Sequence, residues 1–181
     1  MSETVVPVGA LRAAWDLVLT LGDRAGSAAD ADTASRRVVQ AVDQQGISTD
    51  DVWYGLVWLV ESLSSLVIDP SHPARVDAAP EDIIDAVLKK LERDPGLRRT
   101  YRRHSPSVRQ AMECAIIRKD AVEARKDDVP TYGPIGGKEA TLLGYAAWHI
   151  ADLNDATSGV PHLTARLMSD ALDQMEQGTQ G

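Results

Sequence analysis

Residues 52–68 read VWYGLVWLVESLSSLVI, the most hydrophobic stretch of the chain. Plotted at about 100° per residue, Val52, Leu56, Val60, Leu63 and Val67 centre an apolar arc that covers more than half of a helix circumference. A helix apolar on so much of its surface must be surrounded by other helices or by lipid. Glu61 and three serines interrupt the run, and it falls short of the roughly 20 apolar residues that cross a bilayer. The reading is therefore a central helix of a bundle. Ser48 or Thr49 supplies its N-cap, and Asp50 and Asp51 sit where the positive end of the helix dipole favours negative charge.

The remaining sequence supplies helices to surround it. Leu11, Trp15 and Val18 recur at helical spacing in a segment from about Val8 to Leu21 that ends in Gly22-Asp23. Ala34, Val38 and Val42 form the stripe of a weaker helix from about Ala28 to Gln45, with Gly46 placed for a left-handed cap. Pro80 marks the first turn of a fourth helix, whose inner face carries Ile83, Ile84, Val87, Leu88 and Leu91. Asp94-Pro95 opens a short helical segment through Arg103, and Ser105-Pro106 opens another to about Arg125. The last two helices span about Lys138 to Asn154 and, after Gly159-Val160-Pro161, a segment with Leu163, Leu167, Leu172 and Met175 near one face.

No stretch alternates apolar and polar residues long enough to form a sheet, and no repeat or sustained heptad is present. The expected architecture is all-α: one domain over residues 1–181, a bundle of about seven to eight helices. Its ends, about 1–7 and 177–181, are expected to fray, and its major loops lie at about 69–79 and 126–137. Size and helical character resemble TetR-type repressors, but the N-terminal region lacks a helix-turn-helix pattern, so no family assignment follows.

Composition is that of an ordinary globular chain, 44% hydrophobic and 25% charged in 181 residues. A net charge of −8 disfavours unspecific attraction of the whole molecule to nucleic acid or anionic lipid. MSETVVPVGALR has no basic leader pattern, so a cytoplasmic location is expected and no membrane partner. A lone cysteine, Cys114, excludes intrachain disulfides and reads as a small half-buried hydrophobe. Arginine outnumbers lysine 14 to 5, which suggests a GC-rich bacterial or phage genome.

Four features compete for function. The segment 89–126 holds twelve of the nineteen basic residues against five acidic ones, and within it LRRTYRRH places Arg98, Arg99, Arg102 and Arg103 on one arc opposite Leu97 and Tyr101. Such an arc contacts phosphates or acidic neighbours, whether those neighbours belong to the same chain or to a partner. On the most hydrophobic helix, Tyr54, Trp58, Glu61 and Ser65 form a polar-aromatic strip suited to a partner or self-association surface. His149, Asp152 and Asp155 recur every three residues, yet His149 projects into the apolar face and reads as a core histidine held by Asp152 rather than a metal ligand. YGPIGGKEAT lacks the first glycine and the hydroxyl residue of a phosphate-binding P-loop.

Nucleophile, base and oxyanion donors cannot be assembled from any motif, so no cofactor, metal or catalytic residue is assigned. The expected function is non-enzymatic: a regulatory or accessory protein acting through a protein partner or a homo-oligomer. The alternative is a nucleic-acid-associated protein using the basic segment.

Overall fold

The computed structural model describes residues 6–23, 36, 38–40, 42–68, 78–119 and 135–179. Among these residues every regular element is helical and no strand is present. It comprises α1 (Val8–Asp23), α2 (Thr49–Ile68), α3 (Pro80–Arg93), α4 (Arg98–Glu113), α5 (Gly137–Ser158) and α6 (Leu163–Thr179), with a single π-helical turn, Cys114–Arg118, continuing α4. A multi-helix bundle is thus the observed architecture. More than half of the expected weak helix from Ala28 to Gln45 lies outside the described residues, but residues 36, 38–40 and 42–45 are helical. They end at Gly46, whose φ of +70° is the left-handed conformation that a residue with a Cβ adopts at a cost.

α2 is the centre. Ten of its residues are buried, among them Val52, Leu56, Val60, Leu63 and Val67. It packs most extensively against α5 and α1, which also pack against each other, so three helices share one interior. At 20 residues α2 is longer than the run read from the sequence and, contrary to that reading, is long and apolar enough to cross a membrane; half of its residues are buried inside the protein.

α3 and α4 fold back on one another across the short 94–97 turn, pinned where Arg109 Nη2 donates to Asp85 at 2.9 Å. α3 is built with its charges in order. Pro80 stands at the first position, the Ala79 N–H donates to Asp82, acids occupy the first turn, and Lys90 and Arg93 occupy the last. Its stripe of Ile83, Ile84, Val87, Leu88 and Leu91 is fully buried, as the periodicity requires.

Several boundaries differ from the sequence reading: α4 starts at Arg98, after a turn at 95–97, rather than at Asp94-Pro95, and α5 runs on to Ser158. α4 does not restart at Ser105-Pro106; it runs through Pro106 without a break. Proline forfeits the bond to the carbonyl of Arg102, but both residues are exposed, so water can satisfy that oxygen. Nor does the helix reach Arg125. The turn after Glu113 widens to π, the Lys119 N–H donates to the Cys114 carbonyl, and Lys119 takes a left-handed φ of 52° that ends the helix. Cys114 is fully buried rather than half-buried, and the Arg118 guanidinium donates to its sulfur.

α6 also differs in which face it buries. Thr164, Met168 and Leu172 turn inward, whereas Leu167 and Met175 are about 40% exposed. The reason is a polar anchor at the start of the helix. Asp155 Oδ1 accepts from the Thr164 backbone N–H at 2.8 Å and from its hydroxyl at 2.6 Å, and that hydroxyl accepts from Asn154 Nδ2 at 2.7 Å. With Thr164 fixed to the interior, residues three and four apart from it follow. Downstream, Arg12 of α1 pairs with Asp173 and Glu176, and residues 177–179 are helical rather than frayed.

Two stability outcomes follow. Leu56→Ala, which empties a fully buried site in α2, is expected to lower unfolding free energy by about 2–5 kcal/mol in urea denaturation. Thr164→Val, which strands Asn154 and removes a donor to Asp155, is expected to cost about 1–3 kcal/mol by the same measurement.

Candidate functional site

The basic segment falls on the α3–α4 hairpin. Between residues 89 and 103 stand seven basic residues and two acidic ones, in a chain whose net charge is −8. Arg98, Arg99, Arg102 and Arg103 are all exposed on one side of the first two turns of α4, and with Pro95 they line a shallow groove. Leu97 is buried and Tyr101 is half-buried against the core, with burial pushing its phenol pKa upward. The arc inferred from helical projection is therefore present.

Intramolecular ion pairs neutralise Arg12 and Arg109. Arg109 pairs with Asp85 and more loosely with Glu113, and Arg12 pairs with Asp173 and Glu176. The four arginines of the arc make no ion pair among the described residues. Arg125 lies outside those residues.

Position along the helix sharpens the point. α3 carries acids at its start and bases at its end, but α4 carries no acid in its first turn and begins with two adjacent arginines. Cations at a helix N-terminus oppose the macrodipole, at about 0.3–1 kcal/mol each at low ionic strength. These guanidiniums thus stand where helix stability disfavours them, and the same positive helix end adds to the field they present to an anion.

The polar-aromatic strip of α2 has a different setting. Tyr54, Trp58, Glu61 and Ser65 are all half-buried, and Tyr54 and Trp58 pack against the core cluster. The Ser65 hydroxyl donates to the Glu61 carbonyl at 2.9 Å, within its own helix. The strip is thus gathered on one side of α2, as expected, with much of its surface already covered.

His149 and its acidic neighbours do not converge on a common point. Asp155 is committed to Thr164, and Asp152 is exposed. His149 stacks edge-to-face with Trp148, ring centroids 5.0 Å apart. Burial is the main force on the imidazole, lowering its pKa to about 4; the charge of Lys90 adds to that, while Asp152 and Asp94 act in the opposite direction. The ring is half-buried at the edge of the core rather than within it, and Asp152 acts on it through its charge, not through a hydrogen bond. Among the described residues, no group of three or more His, Cys, Asp or Glu side chains could hold a metal ion.

Sequence reasoning did not find a cleft between α1, α5 and the 159–162 turn. Trp15, Leu19 and Gly22 come from α1, Trp148, Asp152 and Asp155 from α5, and Pro161 and His162 from the turn. Trp148 sits so close to the α1 backbone that any side chain at Gly22 would overlap its indole. The contributing residues lie more than a hundred positions apart in the chain, beyond the reach of helical periodicity.

No protein-family profile, curated protein or solved structure matches the chain.

The His149 shift has a definite pH signature. The unfolded imidazole takes up its proton near pH 6.5, and the folded one resists until about 4. Stability from burying the neutral ring is therefore complete above pH 6.5 and is lost as pH falls towards 4. The ring is partly solvated, so wild type is expected to lose about 1 kcal/mol more than His149→Leu between pH 7.5 and 5.0 in urea denaturation.

Proposed function

We propose that the protein is a non-enzymatic helical binding protein that engages an acidic surface of a protein partner through Arg98, Arg99, Arg102 and Arg103. The observation that carries this reading is a group of four exposed guanidiniums, clustered on one face and unpaired among the described residues. Arginine is suited to such a role because its planar fork bonds carboxylates in pairs and gives up hydration more readily than lysine. The overall charge of −8 favours a compact acidic patch over a long polyanion, since a duplex extending past the hairpin would meet the negative remainder of the molecule.

A second reading, phosphate contact with nucleic acid, is favoured by one particular: the arginines stand at the positive end of the α4 dipole, an arrangement that suits phosphate as well as carboxylate. Aromatic residues for base stacking are scarce on this face, where Tyr101 turns towards the core.

The test is affinity capture from nuclease-treated lysate with wild type and with the double charge reversal Arg98→Glu/Arg102→Glu. Both sites are exposed, so the variant is expected to keep its circular dichroism and melting temperature within the small range of surface substitutions. The expected result is a stoichiometric acidic protein held by wild type and lost by the variant. Equal capture by both proteins overturns the assignment. Binding of a labelled 20-base-pair duplex, abolished by the reversal and falling steeply between 50 and 200 mM salt, would transfer the site to the nucleic-acid reading.

A further inference from the structure

The cleft between α1 and α5 is built from helices other than the one that bears the arginines. Its volume is about 500 Å³, within the roughly 300–1,000 Å³ typical of small-molecule sites. Two of the four tryptophans of the chain, Trp15 and Trp148, line it, together with aliphatic surface from Leu19, Ala156 and Pro161. Polar chemistry comes from Asp152, Asp155 and His162, and the Trp15 indole N–H is buried without a hydrogen-bond partner among the described residues.

These walls are held in place. Trp15 is 2% exposed, and Trp148 is seated over Gly22 and braced edge-to-face by His149. Asp155 is fixed by two hydrogen bonds from Thr164, so its negative charge is stationed at the cleft. Asp152 is exposed and makes no ion pair among the described residues. His162 holds a left-handed φ of 58°, a conformation uncommon for a residue with a side chain. No lysine or arginine of the described residues lines the cleft.

The combination selects a ligand by charge and by surface. Two carboxylates repel an anion. Indole rings attract a cation through their quadrupole. The aliphatic walls accept methylene groups, whose removal from water is favourable. We infer that the Trp15–Trp148 cleft binds an alkylammonium group, its hydrocarbon stem against the indoles and its ammonium at Asp152 and Asp155. The same chemistry is carried by a free aliphatic amine and by a lysine side chain of another protein.

The test uses n-hexylammonium chloride as probe and ¹H–¹⁵N spectra of the full-length protein as readout. The Trp148 indole signal is assigned by its disappearance in Trp148→Phe. A saturable shift of that signal is expected with hexylammonium, weakened about tenfold in Asp152→Asn, an exposed substitution with little effect on folding. n-Hexanol, with the same tail and no charge, is expected to bind at least about tenfold more weakly. Absence of a saturable shift, equal binding of hexanol, or an unchanged affinity in Asp152→Asn overturns the inference. Nα-acetyl-lysine N-methylamide distinguishes the sources: affinity equal to that of hexylammonium identifies a protein lysine, and weaker affinity identifies a free amine. Arg98→Glu/Arg102→Glu is expected to bind the probe as wild type does, which separates this outcome from that of the arginine face.

Discussion

Burial of α2 is the constraint on which the rest of the molecule depends. A helix apolar on more than half its circumference cannot be satisfied by a single neighbour, because one packed helix covers only a stripe. α5 and α1 cover the largest parts of it, and the π turn after α4 adds a further contact. α5 is correspondingly buried along much of its own length, from Ala140 to Asn154. Its low amphipathic contrast in sequence reflects partners on several sides: α1, α2, α3, α4 and α6 all touch it.

Around that interior, polar groups decide orientation more than energy. α6 carries apolar residues on two faces, and hydrophobicity alone does not choose between them. The Asn154–Thr164–Asp155 network chooses, because it ties the buried Thr164 hydroxyl to Asn154 Nδ2 and to Asp155, while Asn154 Oδ1 is left without a partner among the described residues. The pair of carboxylates that meets Arg12 fixes the opposite end. The same network stations Asp155 beside the tryptophan cleft, so the element that orients α6 also gives the cleft part of its charge.

Charge is distributed by a second logic on the α3–α4 hairpin. α3 follows the rules of helix capping and dipole compensation, and its charges need no explanation beyond its own stability. α4 breaks those rules at its start, where four arginines face solvent without acidic partners among the described residues. Two adjacent helices of similar length thus differ in whether their charges complement the helix dipole.

Local physics made much of this legible in the sequence. The buried stripe of α3, the helix start at Pro80, the left-handed Gly46, the absence of sheet among the described residues, and the arginine arc opposite Leu97 and Tyr101 all follow from local residue pattern, and that pattern is what a sequence records. Tertiary structure alone decided the rest. Whether Pro106 breaks a helix depended on the carbonyl of Arg102 reaching water; which face of α6 is buried depended on Asp155, nine residues before Thr164 and on another helix. The Trp15–Trp148 cleft depended on α1 and α5 meeting at Gly22, with more than a hundred residues of chain between them. Periodicity fixes which side of a helix is apolar, because that is a property of one segment. Pairing, rotation and concavity are properties of several segments at once, and they are settled only when buried polar groups find their partners.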